Sequence, residues 1–365
     1  TEVDTLSLHD ALPIYGKMKI SILLPYKENF SPSYAGAVSI FLKDTINCSK
    51  YKKNIIVYGN TNFKKKLIKS YKNLPFTPSF LRSSSKLYLN KFIDNENKKK
   101  SDLIEIHNRP DYVDKLFNIN ENLVLYFHNN SQEMKSSKSI NDRINLIKKT
   151  KKIIFNSKWT KSKFLQGLKI KNEYKKKLDV IYQSTSSKKV NFKNKKKYII
   201  FVGRLNSSKG YDIFGKAVLK ILNSYKDWKS IVIGDEPREK ILFHHKRLSI
   251  LGFLDHKKVS NWFIKSEIAV VCSRWQEPFG RTALEASSSG CAVIITNRGG
   301  LPEAAPNAIK INNLNVNSVK LALEKLIKNK EFRNKLQKKS LRSFYLTNNL
   351  ISKKIDKYRS ELIKS

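Results

Sequence analysis

Acidic residues are scarce in this sequence: 30 Asp and Glu stand against 72 Lys and Arg, a formal net charge of +42. Arginine is scarce too, with only 12 Arg among those 72, leaving 60 Lys. Nucleic-acid readers favour Arg forks at base edges and gather their charge on one element. Here lysine is scattered over nearly every polar segment, so the charge reads as compositional and nucleic acid is not an expected partner. Attraction to an anionic membrane is a by-product that such a charge allows. Cysteine is limited to Cys48, Cys272 and Cys291. An odd count, with two of the three inside apolar runs, argues against a disulfide framework and for buried thiols in a reducing compartment. No apolar run approaches the ~18 residues needed to span a bilayer. The sequence also lacks an Asp-x-Asp pair, a His/Cys cluster of zinc spacing, a G-x-S-x-G motif and a Ser-His-Asp order. Neither a metal nor a cofactor is therefore expected.

A hydrophobic fraction of 40% is enough for a core, and 365 residues predict about two domains. Residues 1–17 carry three acids (Glu2, Asp4, Asp10) against Lys17 alone, and lack the basic-then-apolar pattern of a leader. They read as a non-native or disordered extension, outside the fold. From Met18 onward, short apolar strands are predicted at 19–25, 54–58, 103–107, 122–128, 152–156 and 178–182, with helical or mixed segments between them. A polar Lys/Ser/Asn-rich stretch, 183–197, reads as a linker. A second series follows, with strands at 197–202, 230–234, 268–272 and 291–296 and helices near 212–225, 257–265 and 316–328. Alternation of this kind predicts two α/β domains with largely parallel sheets, 18–185 and 186–345, facing each other across a cleft. The tail, 346–365, has helical spacing and is expected to cross back to the first domain. Within 61–72, Phe63, Leu67, Ile68 and Tyr71 fall on one helical face with lysines around it. That pattern suits a surface helix packing its apolar stripe on the sheet before it suits a helix lying on an anionic membrane.

The stretch from Cys272 to Glu303 carries the densest chemistry. A strand runs into Glu277-Pro278-Phe279-Gly280, a helix starts at Arg281 and carries Glu285, and a second strand ends in Gly299-Gly300. A strand, a glycine-containing loop and a helix N-terminus together suit an anion or a polyol. The second dense stretch is FVGRLNSSKGYDIF, 201–214. There Gly203 ends a strand, and Arg204 and Lys209 flank a polar loop. A planar donor fork beside a mobile point charge is a natural pair for a diphosphate. In the first half, Gly36 precedes a helical run and allows close backbone approach, or serves an ordinary turn. His107 and His128 each end a strand, where ligands sit in open α/β sheets.

GRLNSSKGYD, EPFGRTALE and GGLPE, in that order, resemble glycosyltransferase family 4, the retaining, group 1 enzymes of the GT-B fold. The similarity covers most of residues 18–345 and is strongest in the second half. The resemblance implies that Arg204 and Lys209 hold a donor diphosphate beside Gly203. It implies that Glu285 takes the ribose hydroxyls and Glu277 faces the transferred hexose. The backbone at Pro278, Phe279, Gly280 and Arg281 would cradle sugar and phosphate oxygens. Gly36 falls where the family's glycine loop meets the donor, although Ala35-Gly36-Ala37 is poorer in glycine than that loop. His128 matches the family's histidine near the reacting sugar, chosen over His107 by strand order. The expected reaction moves a hexose from a nucleotide diphosphate sugar, UDP-sugar before GDP-sugar, to a glycan or lipid-linked acceptor in cell-surface polysaccharide or lipopolysaccharide synthesis. The expected place is the cytoplasm, peripherally at the inner face of the membrane through 61–72. Two other readings remain: a nucleotide-sugar epimerase of the same fold, which would arrange its carboxylates differently, and a basic binding protein without catalysis. A charge-only reading leaves the pair Glu277 and Glu285 unexplained.

Overall fold

The computed structural model describes residues 18–81 and 83–364; the expectation for residues 1–17 lies outside them. Two separate parallel sheets form. The first holds β1 (Ile20–Leu23), β2 (Ile55–Gly59), β3 (Tyr71–Asn73), β4 (Leu103–His107), β5 (Leu123–Phe127), β6 (Lys152–Phe155) and β7 (Leu178–Val180). Their spatial order is β3-β2-β1-β4-β5-β6-β7. The second sheet holds β8 (Lys196–Val202), β9 (Lys229–Ile233), β10 (Leu248–Ile250), β11 (Ser266–Val271), β12 (Ala292–Thr296) and β13 (Ile309–Ile311). Its order is β10-β9-β8-β11-β12-β13. The central strands are apolar runs buried on both faces, as in LVLYF of β5, because helices cover both sides of each sheet. Both sheets are Rossmann-like, and each reverses its strand order once, between β1 and β4 and between β8 and β11. Ligands in open parallel sheets bind outside the carboxyl ends of strands at such reversals. Predicted site loops leave β1, β8 and β11 at these reversals, and the predicted His128 directly follows β5.

The tail helix, Asn348–Lys364, lies against the helix Ala37–Cys48 of the first half. Asp356 accepts from Ser49 Oγ (2.6 Å) and the Lys50 amide (2.8 Å), and Ser352 Oγ donates to the Thr45 carbonyl (2.9 Å). Deeper in, Arg359 forks onto Glu105 of β4 at 2.7 and 2.8 Å, and Tyr358 OH donates to the same carboxylate at 2.6 Å. One apolar cluster runs from Ile22 and Phe41 through Ile351 and Ile355 to Phe279 and Leu284. The two halves therefore share a packed core along this seam.

Residues 61–72 correct the sequence expectation, because they are not helical. They form a loop that ends in β3, where Val57 pairs with Tyr71. The Leu67 amide donates to the Phe30 carbonyl, and the Phe30 and Tyr71 rings stack at 5.2 Å. Lys66 Nζ folds back onto the Thr61 carbonyl (3.1 Å). Pairing at the open edge of β2 satisfies more backbone groups than a short lysine-rich helix would, so tertiary context overrides the helical spacing. Among the described residues no helix is long and apolar enough to cross a membrane.

Candidate active site

Two hollows meet between the carboxyl ends of the sheets. The outer one, about 790 Å³, is lined by Gly36, Gly203, Arg204, Phe253, His256, Arg281 and Glu285. The inner one, about 260 Å³, is lined by His128, Lys209, Ser273, Trp275 and Glu277 through Arg281. Gly203 and Arg281 border both. A larger open groove, about 1160 Å³, is lined only by residues 329–343 along one surface helix, without groups converging from elsewhere. It lies away from every predicted site residue.

The inner hollow is organised by one ion pair. Lys209 Nζ stands 2.5 Å from Glu277 Oε1, and Ser273 Oγ donates to the same oxygen at 2.5 Å. The ammonium also sits 5.1 Å from the centre of the Trp275 ring, a cation–π contact. The loop that carries Lys209 is built by local chemistry. Asn206 Oδ1 accepts from the Lys209 amide (3.0 Å), and Arg274 forks onto Asp212, with Nη2 to Oδ2 at 2.6 Å. Gly210 has a left-handed φ of 74°, and a Cβ there would lie 1.9 Å from the Cys272 carbonyl oxygen. Only glycine lets the loop turn into its helix against β11. Gly299 (φ 58°) does the same for Glu277: a Cβ would lie 2.1 Å from the Glu277 carbonyl oxygen, to which the Gly300 amide donates at 2.7 Å. The Gly-Gly turn is thus the buttress of the EPFG loop.

Glu285, on the helix Arg281–Ser288, lines the outer hollow. Its Oε1 meets Arg281 Nε at 2.7 Å and His256 Nε2 at 2.7 Å. Burial raises the Glu285 pKa, but the Arg281 guanidinium and His256 outweigh it and hold the carboxyl below its ordinary range. Arg281 reaches across to the first half, with Nη1 donating to the Ser184 carbonyl (3.2 Å) and Nη2 3.4 Å from Asp44. Arg204 is exposed on the wall of the outer hollow. Arg204 and Lys209, predicted as a pair, therefore face different compartments of one cleft, joined at Gly203.

His107 and His128 come together: His107 Nδ1 lies 2.9 Å from His128 Nε2, and their rings stack at 5.2 Å. Both side chains are buried. The His128 amide donates to Asn108 Oδ1 (2.9 Å), and Asn156 Nδ2 donates to the His128 carbonyl (3.0 Å). Burial, with the nearby Arg359 charge, lowers the His107 pKa to about 3. Burial and the facing His107 hold His128 well below its ordinary value as well. The dyad is therefore neutral, with one ring donating and the other accepting.

Sequence reasoning missed His256, Ser273, Trp275 and Asn156, whose types carry no spacing signal. It also missed Glu28, whose carboxylate accepts from Ser39 Oγ (2.6 Å) and the Ser39 amide (3.2 Å) at the start of the helix behind Gly36. A Cβ on Gly36 would lie 2.6 Å from that carboxylate. Glu303, the last residue of GGLPE, binds across the halves. Its oxygens accept from the Lys158 (2.7 Å) and Trp159 (2.9 Å) amides at the start of the helix Lys158–Leu165. Ser157 Oγ adds a bond to the Pro278 carbonyl (2.6 Å). The EPFG loop is thereby tied to the first half.

Residues 183–342 match the family model described as "Glycosyl transferases group 1". The sequence is 32% identical over 120 residues to the phosphatidylinositol N-acetylglucosaminyltransferase GPI3 subunit of Saccharomyces cerevisiae, covering 31% of this chain and 26% of that protein. It is 30% identical over 118 residues to the lipopolysaccharide core biosynthesis mannosyltransferase LpsB of Rhizobium meliloti, covering 30% and 33%. The aligned region thus spans about a quarter to a third of these curated relatives. The fold aligns with Anabaena Alr3699/HepE solved with UDP-glucose, at TM-score 0.72 and 17% identity, covering 94% of this chain and 100% of that one. It aligns with a glycosyltransferase from Rickettsia africae ESF-5 at TM-score 0.74 and 18% identity, covering 96% and 100%. The architecture is GT-B: two Rossmann-like α/β/α halves facing each other across a cleft.

Proposed function

We propose that the protein is a retaining glycosyltransferase that moves a hexose from a nucleotide diphosphate sugar to a glycan or lipid-linked acceptor. The observation that carries this reading is the Lys209–Glu277 pair in the inner hollow, one compartment away from Glu285 and Arg204 in the outer one. Their spacing along one cleft suits a ligand with a sugar at one end, a diphosphate in the middle and a ribose at the other. The family-model match over 183–342 includes all four residues. UDP-sugar is the first donor to test, since the Anabaena fold neighbour was solved with UDP-glucose. The acceptor side is the first half, with His128 among the residues lining the inner hollow, and the native role is cell-surface glycan or glycolipid synthesis at the cytoplasmic face of a membrane. The domain assignment of this reading is acceptor on 18–185, donor on 186–345, and 346–365 bracing the first.

Chemically, the bond between the anomeric carbon and the β-phosphate oxygen breaks while the acceptor oxygen bonds the same face of that carbon. The acceptor proton passes to the departing phosphate oxygen. Arg204 and Lys209 stabilise the charge that grows on the diphosphate, and fixed cations stand in the place a metal ion would take. Glu277 orients the hexose hydroxyls, and Glu285 the ribose. A thermal-shift panel of UDP-, GDP- and ADP-sugars tests the reading. Stabilisation by one nucleotide sugar, lost in Glu285→Ala, supports it; no shift with any of them counts against it.

A further inference from the structure

We infer that the rim made by the loops leaving β1, β2 and β3 is a docking surface for an anionic lipid bilayer. Two neighbouring large apolar side chains, Phe80 and Leu81, stand at 111% and 94% exposure on the loop between β3 and the helix Ser84–Lys98. Phe63 (42%) and Tyr34 (56%) are exposed on the two preceding loops. A pair of bare apolar side chains with no protein neighbour to cover them marks an interaction site more than a scattered single one does. The charge on the loops leaving β2 and β3 has one sign, and the acid on the β1 loop, Glu28, is turned onto Ser39. No acidic residue occurs between Asp44 and Asp94, an interval with ten Lys and one Arg. Lys64, Lys65 and Lys86 are exposed on the same loops or at the first turn of the following helix.

Apolar side chains that can enter the acyl boundary, ringed by lysines that stay at the headgroups, are the composition of an interfacial anchor. The observations favour a bilayer over nucleic acid. Single-strand binders interleave aromatic platforms with Arg, whereas here an aliphatic Leu81 shares the tip with Phe80 and the charge is almost wholly Lys. The rim adjoins the cleft mouth: Tyr34 stacks on Phe253 of the second half at 4.3 Å and lies 6.5 Å from Phe63. A bilayer on this rim faces the opening between the halves. The surface replaces the helix expected over 61–72 with three loops, of which 61–72 contributes Phe63 and its lysines. Docking stands apart from the transfer reading, but its use, presenting a lipid-linked acceptor to the first half, rests on that reading.

Flotation of the full chain with vesicles of phosphatidylcholine alone, and of phosphatidylcholine with phosphatidylglycerol, tests the surface. Binding is expected only to the anionic vesicles, weakening as salt rises, and dropping about tenfold or more in Phe80→Ser/Leu81→Ser. Phe80→Trp is expected to shift its emission to shorter wavelength on those vesicles alone. No vesicle binding by the parent chain, equal binding to both compositions, or full binding by the double variant overturns the inference. Binding of single-stranded RNA in place of vesicles reassigns the surface to nucleic acid and overturns it as well. The donor thermal shift, run on the same variants, separates the two readings. Lost flotation of the double variant with its donor shift intact is the expected result; a parent chain that shows the donor shift without floating sinks docking alone, and one that floats without a donor shift sinks the transferase reading alone.

Discussion

Lys209 Nζ and Glu277 Oε1 are 2.5 Å apart, although the residues belong to motifs 68 positions apart in the chain. The contact fixes both at the floor of the inner hollow before any ligand arrives. It also makes each the other's counter-charge in a half-buried place, so that changing either one alters the pair. Replacing Lys209 by Met leaves Glu277 without its cation, and replacing Glu277 by Gln frees the ammonium while keeping shape. Under the transferase reading both variants lose turnover by roughly 10²-fold or more, the range for removing one charge-stabilising donor. Initial-rate kinetics check this. Glu277→Gln is expected to act mainly on kcat, because a group that orients the hexose matters most as the bond breaks.

Gly299→Ala probes the same pair from behind. A Cβ at this left-handed position would meet the Glu277 carbonyl at 2.1 Å, so the EPFG loop must move. Activity is expected to fall at least as far as in Glu277→Gln, while the unfolding midpoint shifts less than in a core variant. Parallel rate and denaturation measurements read both.

The tail helix carries a different kind of bond. Arg359 and Glu105 are both almost wholly buried, at 3% and 0% side-chain exposure, and fork together at 2.7 and 2.8 Å. Removing Arg359 alone strands the Glu105 carboxylate and is expected to cost about 3–5 kcal/mol. The double variant Arg359→Met/Glu105→Gln recovers much of that loss. Urea unfolding of the parent, the single and the double variants measures it.

The histidine dyad makes stability fall with acid. His107 titrates at about 3 in the folded chain and near its ordinary value of 6.5 when unfolded. Between those values the unfolded chain binds the proton and the folded chain does not, so stability drops as pH falls below about 6.5 and keeps dropping toward 3. From pH 7 to pH 5 the loss attributable to His107 is about 2 kcal/mol. Thermal melts across that range should flatten in His107→Gln, relative to the parent.

The strands of both sheets were legible in the sequence because fully buried parallel strands read as continuous apolar runs, as in β5 and β12. Among the short edge strands β7 was legible because its apolar run continues into buried Ile181, whereas β3, β10 and β13 have three residues each and only partial burial, too little for a period to show. The region 61–72 misled because helical spacing over a dozen residues is a weaker constraint than the unpaired edge of β2 beside it. In the cleft, Glu277, Glu285, Arg204 and Lys209 stood out through spacing and glycine context. His256 did not, since its partnership with Glu285 is made by two helices meeting in space. The facing of His107 and His128 was likewise set by the pairing of β4 with β5, which aligns His107 with Tyr126.

Under the transferase reading the cleft holds a nucleotide sugar along Glu285, Arg204, Lys209 and Glu277 and cleaves it. Release of UDP from UDP-hexose, with and without an acceptor glycan or glycolipid, measured on the parent chain beside Lys209→Ala and Glu285→Ala, tests it most directly. Release by the parent is expected, faster with acceptor, with a loss of roughly 10²-fold in Lys209→Ala and a raised KM in Glu285→Ala. Undiminished release in both variants would contradict it.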